Sequence, residues 1–282
     1  MAYSIKKWHR NQMEKRKDNQ TPLVFNHETL GQNRKRAVAS FAEHDFLFAE
    51  IGSRLDERLD EITKKFNDPL HLGYPHVLGR HNPQGPAENL KLPANQHDLI
   101  TSNLQLHWAN DLAGVLIQIK QSLKPDGLFI ASLFGGDTLL ELKTVLLEAE
   151  VEVTNKAMMR TSPMADVRDL GGLMMRSGFA LPLIDVDRIT VRYKNMLKLM
   201  HDLRYMGEGN ALQQRPKPLR RDILAKAQEI YAKKHPHPDG EGISATFDVV
   251  FLTGWSPHES QPKPLQPGSA KVSLTDVLKK PK

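Results

Sequence analysis

Three features of the sequence predict an α/β fold with helices on both faces of its sheet. Helical and strand patterns alternate from residue 69 to 253. The stretch LFIASLF, residues 128–134, is apolar almost throughout, as a strand is when helices cover both of its faces. The last two strand patterns, LPLIDVDRITVRY and ISATFDVVFLTGW, are separated only by helices and end the domain, which suits an antiparallel edge pair.

The elements follow in order. LVFNHETLGQNRKRAVASF reads as a helix, and so does HDFLFAEIGSRLDERLDEITKKF. In the second, Phe48, Ile51, Leu55, Leu59 and Ile62 recur at spacings of three and four, forming one apolar stripe. Asn67-Asp68-Pro69 is expected to break it, because the proline ring cannot continue a helix. HDLITSN reads as a buried strand. DLAGVLIQIKQSLKPDG is a helix with Asp111 as its cap and Pro125-Asp126-Gly127 as its expected stop. After LFIASLF, Gly135-Gly136 makes a turn, and Asp137 is expected to cap TLLELKTVLLEAE. SPMADVRDLGGLMMRSGF is read as a helix with Ser162 at the cap, Pro163 at its first position and Gly178 at its stop. KNMLKLMHDLRYMG, with Met196, Leu199, Met200 and Leu203 on one side, and RRDILAKAQEIYAKKH are helical; the methionines read as core filler. SPHESQPKPLQPGSA cannot join a sheet, since it carries Pro257, Pro262, Pro264 and Pro267.

The chain of 282 residues is thus divided into a basic tail (1–21), a helical segment (22–67), an α/β domain (68–255) and a proline-rich tail (256–282). It has no cysteine, which removes disulfides, thiolate metal sites and a cysteine nucleophile. The net charge of +6 resides at the ends: residues 1–20 carry +4, residues 271–282 carry +3, and the body is close to neutral. A nucleic-acid binder carries its basic face on the folded domain, so none is expected as a partner. No apolar run is long enough to span a membrane. The first 20 residues lack the apolar core of a secretory signal and hold too many acids for a mitochondrial presequence, so a cytoplasmic location is expected, or the mitochondrial matrix in a eukaryote.

Common enzyme signatures are absent. There is no phosphate-cradling G-x-x-x-x-G-K-[ST] loop and no G-x-S-x-G elbow. His71, His76 and His81 do not suggest a metal site, because Gly73, Pro75, Gly79 and Pro83 forbid a common helical face there. His235-Pro236-His237 reads as a polar loop, and Glu57 and Asp60 as a solvated helix face. The informative pattern is a strand ending in small polar residues, then a helix, a Lys-Pro-Asp-Gly turn and a buried strand. Ligands of open α/β sheets sit beyond the carboxyl ends of the strands, where Ser102, Asn103 and Gly135 fall.

The segments AENLKLPANQHDLITSNLQLHW, LKPDGLFIASLFGGDTLLEL and FDVVFLTGW resemble the central and late strands of the class I S-adenosylmethionine-dependent methyltransferases. LVFNHETLGQNRKRA, DFLFAEIGSRLDERLDEI, FGGDTLLELK, SPMADVRDLGGLMMRSGFALPLIDVDRITVRY, LMHDLRYMGEGNAL and SQPKPLQPGSAKVSL narrow the resemblance. They are similar to the branch holding the malonyl-acyl-carrier-protein methyltransferases and, more closely, the arginine-hydroxylating complex I assembly factor. The resemblance covers nearly all of residues 22–274. It implies a Rossmann-like sheet, S-adenosylmethionine as cofactor, and a respiratory-complex protein or an acyl carrier protein as partner.

The resemblance also implies a glycine-rich turn after the first strand, an acid for the ribose at the end of the second, and an acid-alanine pair after the third. Leu70–Gly73 matches the end of the first strand, and Ala87–Pro93 the segment after the third. A strand–helix–strand unit needs roughly 30 residues, and only residues 74–86 lie between. The expected fold is therefore a class I methyltransferase-like sheet shortened by an early strand–helix–strand unit, with its first strand left as a sheet edge or repositioned. The residues carried over for the cofactor are Gly73, Ala87, Glu88, Asn103 and Leu104. Two functions follow: an enzyme using S-adenosylmethionine to transfer methyl, or acting as the hydroxylase does; or a non-catalytic respiratory-complex assembly protein with a degenerate cofactor site.

Overall fold

The computed structural model describes residues 23–73 and 90–262. The expected tails at 1–21 and beyond 262, and the expected cofactor residues Ala87 and Glu88, lie outside the described residues.

Helix α1, His27–Ala37, begins at Asn26, whose side-chain oxygen accepts from Thr29 N at 2.8 Å. A 3-10 turn, Val38–Glu43, leads to α2, Phe46–Asp60. Leu47, Phe48, Ile51 and Leu55 of α2 are buried, while Leu59 and Ile62 are only partly buried. The helix ends at Asp60, well before the proline at 69. The apolar stripe persists past its end because Ile62 and Phe66 still pack on the core in irregular chain.

The sheet contains β1 (Pro69–Gly73), β2 (His97–Asn103), β3 (Leu123–Gly135), β4 (Ala180–Tyr193) and β5 (Ile243–Trp255), in the spatial order β1-β2-β3-β5-β4. β1, β2 and β3 run parallel, and β5 lies antiparallel between β3 and β4. The expected antiparallel pair is present, and β1 is an edge strand. From Gly73 at the carboxyl edge the chain must return to His97 at the opposite edge. Residues 90–96 form the last part of that return: Leu90 N donates to the Gln118 side chain, and Asn95 N and Gln96 N donate to Gln121 O and Ser122 O. β2, where the chain arrives, is the parallel neighbour of β1.

α3 (Leu112–Ser122) and α5 (Val167–Arg176) cover one face, and α2, α4 (Leu140–Thr154) and α7 (Arg221–Lys234) cover the other. The strands alternate between the two cores. Leu128, Ile130 and Phe134 of β3 face one, and Phe129, Ala131 and Leu133 the other. Phe247, Val249 and Phe251 of β5 join the first core, with Val250 and Leu252 in the second. Truncating one of these fully buried side chains costs about 2–5 kcal/mol.

Several expected boundaries move. Asp111 caps α3 as expected, accepting from Gly114 N at 2.9 Å. Its stop is Leu123 rather than Pro125-Asp126-Gly127, because β3 already begins there and takes the turn residues into the strand. Asp137 does not cap α4 with its side chain, which pairs with Arg188 instead. Asp166, not Ser162, caps α5 by accepting from Arg168 N, so Pro163 lies outside the helix. Gly178, at φ +88°, ends α5 as expected. α6, Met196–Tyr205, buries Met196, Leu199 and Leu203.

Candidate functional site

At the carboxyl edge of the parallel strands, Gly73 and Asn103 are register partners, so two of the expected cofactor residues come together. Their surroundings are occupied by the protein itself. A Cβ on Gly73 would lie 2.6 Å from His71 Nε2, so the close approach at this glycine is made by a neighbouring side chain. The Asn103 amide donates to Phe48 O at 3.0 Å, and its oxygen accepts from Ser132 Oγ at 2.7 Å. Leu104 is buried, at φ +48°, and its N–H donates to Ser132 O and Oγ. These two residues join β2, β3 and α2 and turn the chain sharply out of the sheet. Ala87 and Glu88 lie outside the described residues, so these contacts describe Gly73, Asn103 and Leu104 alone.

The turn at Leu104 delivers a second set of groups. Leu106–Trp108 form a 3-10 turn just beyond β2. On the far side, α6 ends in a Schellman motif: Gly207, at φ +81°, donates to Arg204 O, and Glu208 N donates to Leu203 O at 2.9 Å. That geometry aims Glu208 back at the sheet. Glu208 Oε2 accepts from His107 Nε2 at 2.9 Å and from Trp108 Nε1 at 2.9 Å. Arg34 of α1 stands 3.9 Å from Glu208 Oε1, and all these side chains are buried. Trp108 in turn packs edge-on against Phe25.

These residues line a cavity of about 160 Å³ walled by Phe134, Leu142, Leu203 and Phe247. The cavity lies beyond β2 and β3, where an open α/β sheet holds its ligands. Its two charged lining residues are not equivalent. Arg160 donates twice to Glu150, at 2.5 and 2.8 Å, and once to Lys217 O, so its charge is matched and three of its donors are engaged. Glu208 Oε1 and His107 Nδ1 are buried without a hydrogen-bond partner. Trp108 can only donate, and His107 Nε2 donates to the same carboxylate oxygen, so in the neutral ring Nδ1 carries a lone pair. The cavity therefore presents two buried acceptors, one of them anionic, in an apolar wall.

The turn after β3 closes another side. Asp248 accepts from Asp137 N at 2.9 Å, and its carboxylate is held by Arg188 at 2.7 and 2.8 Å. Hydrogen bonding from Arg188, opposed by burial, keeps the Asp248 carboxyl below the usual carboxylate range. This fixes the Gly135–Leu139 turn, whose Thr138 and Leu139 line the cavity.

His107, Trp108 and Glu208 were not singled out from the sequence. Both LQLHW and LMHDLRYMGEGNAL are conspicuous there. What joins them is a contact between residues about a hundred positions apart, which no periodicity reveals.

Residues 61–131 match the family described as "Methyltransferase domain". Over 271 residues the chain is 36% identical to the mitochondrial arginine-hydroxylase NDUFAF5 of Danio rerio, covering 84% of each chain. It is 46% identical over 180 residues to the protein of that name from Dictyostelium discoideum, covering 64% of this chain and 41% of that one. It is 33% identical over 200 residues to the malonyl-[acyl-carrier protein] O-methyltransferase of a Methylovorus species, covering 71% of this chain and 61% of that one. In the Danio rerio match, 84% of this 282-residue chain is aligned over 271 positions. Roughly thirty of those positions thus have no counterpart here.

Proposed function

The chain belongs to the family of the arginine-hydroxylase NDUFAF5, within the class I S-adenosylmethionine-dependent methyltransferase superfamily, and on that premise we propose that its cavity takes the arginine side chain of a protein partner. The observation that carries this reading is a pair of acceptors in an apolar wall that lack a hydrogen-bond partner, His107 Nδ1 and Glu208 Oε1, the latter faced by Arg34 at 3.9 Å. A guanidinium is planar, always charged and rich in donors, and it can satisfy both. The same charge argues against a malonyl carboxylate as the bound group. Glu208 would disfavour it, its charge only partly offset by Arg34 at 3.9 Å, and Arg160, the cation on the lining, is already matched by Glu150. The partner is a respiratory-complex protein, and the cellular location follows that of its partner. Peptide mapping of respiratory-complex subunits, from cells with and without the gene, tests the reading. An arginine carrying one added oxygen only when the gene is present supports it as an enzyme, and identical arginines in both would rule out modification of the docked arginine.

The superfamily's cofactor, S-adenosylmethionine, would be held at Gly73, Ala87, Glu88, Asn103 and Leu104, and it supplies an activated methyl group when bound. The short stretch of sequence between β1 and β2, residues 74–96, favours a second reading, an assembly protein that docks the arginine without chemistry. Calorimetric titration with S-adenosylmethionine separates the two: saturable heat supports the enzyme, and none at millimolar concentration supports the docking protein.

A further inference from the structure

The last two turns of α6 carry a second cluster, on residues that neither the sheet edge nor the cavity uses. His44, which follows the 3-10 turn, places Nδ1 2.9 Å from Asp202 Oδ1. His201 Nδ1 lies 3.8 Å from the same oxygen, and one ligand atom from each of the three residues falls within 4.8 Å of the others. The side chains of His44 and Asp202 are largely buried, while that of His201 is half exposed. We propose that His44, His201 and Asp202 form a binding site for a divalent transition cation, with Zn²⁺ as the ion that suits them.

The donor set fits. Two imidazoles and one carboxylate, with water at a fourth position, are a common zinc environment, with ligand atoms about 2.0–2.2 Å from the ion. The three atoms stand slightly too far apart for that. Half-exposed His201 is the one that can close the gap. Tyr205 packs on both imidazoles, with ring centroids 4.9 Å from His44 and 4.3 Å from His201, which holds the rings together. The site already has a resident positive charge: Lys198 Nζ lies 2.8 Å from Asp202 Oδ1, on a side chain that is half exposed. A metal ion would take the place of that ammonium, and Lys198 would turn to solvent. His44 would move its ring proton from Nδ1 to Nε2, so coordination requires no net loss of a proton there.

A plain structural reading has the His44–Asp202 hydrogen bond tying the 3-10 turn to α6. It accounts for one of the three groups on that oxygen and leaves His201 and Lys198 as bystanders, so the two readings make opposite predictions. Zn²⁺ titration of the full chain without a histidine tag, followed by calorimetry and by the visible spectrum of a Co²⁺-loaded sample, distinguishes them. One equivalent should bind. His201→Ala, which leaves a largely exposed position, should keep the native circular dichroism and weaken binding by about tenfold or more, the lower range for loss of a supporting group at a metal site. Lys198→Met should tighten binding by removing the competing cation. His237→Ala should change nothing. Absence of binding, equal affinity in the wild type and His201→Ala, or no gain in Lys198→Met would each overturn the site.

Discussion

Trp108 and Glu208 are joined by a 2.9 Å hydrogen bond from the indole N–H to Oε2, between a turn that leaves the sheet and a turn that ends a helix. The indole can only donate, so the carboxylate is fixed in orientation, and its other oxygen faces Arg34 at 3.9 Å without a hydrogen bond. Replacing Glu208 by Ala would strand the buried N–H groups of His107 and Trp108 and leave Arg34 without this carboxylate. The expected loss of stability is about 3–5 kcal/mol, the range for breaking a buried pair from one side. Glu208→Gln keeps an acceptor and the shape and should cost less. Urea unfolding of the two variants checks the order.

Gly207 sets the direction of Glu208. Its φ of +81° and the nearness of Arg34, 3.1 Å from a built Cβ, both resist a side chain. Gly207→Ala should destabilise by about 1–2 kcal/mol through the left-handed backbone alone. It should also reduce ligand binding, because the Schellman turn aims the carboxylate. A Gly240→Ala control, at φ +85° but with open space around it, should lose stability without losing binding.

Asn103 has a different task. Its amide joins Phe48 O of α2 to Ser132 of β3. Asn103→Ala would leave buried partners unsatisfied, at about 1–3 kcal/mol. Denaturant midpoints should fall accordingly, and a midpoint unchanged from wild type would contradict the structural role.

Arg188 and Asp248 give a pH dependence with a definite sign. The folded Asp248 carboxyl lies below its ordinary range, chiefly through the Arg188 hydrogen bonds. A depressed carboxyl contributes stability that is present above its unfolded pKa, about 3.9, and is lost as pH falls through the folded value. The stability gap between wild type and Arg188→Met should therefore be open at pH 7 and close below about pH 4. Chemical denaturation across that interval is the check.

Much of the fold was legible because its signals are local. Asp111 ahead of an apolar period gave the start of α3, Gly178 gave the end of α5, and the unbroken run of LFIASLF gave a strand covered on both faces. Counting residues between Gly73 and Ala87 left β1 either at an edge or repositioned, and it is an edge strand. Boundaries failed where tertiary partners compete with local rules. Asp137 looked like a cap but is taken by Arg188, and Ser162-Pro163 looked like a helix start but lies in the loop that lines the cavity. The site itself was the least legible part. His107 and Glu208 meet only after β2 turns at Leu104 and α6 turns at Gly207, and neither turn announces its partner.

The most direct measurement of the central claim is calorimetric titration with a capped arginine peptide and its citrulline counterpart, which has the same shape without the charge. Wild type should bind the arginine peptide more tightly than the citrulline one, and Glu208→Gln should abolish that preference. Equal affinity for both peptides, or a preference that survives in Glu208→Gln, would show that the carboxylate held by His107 and Trp108 does not receive a guanidinium.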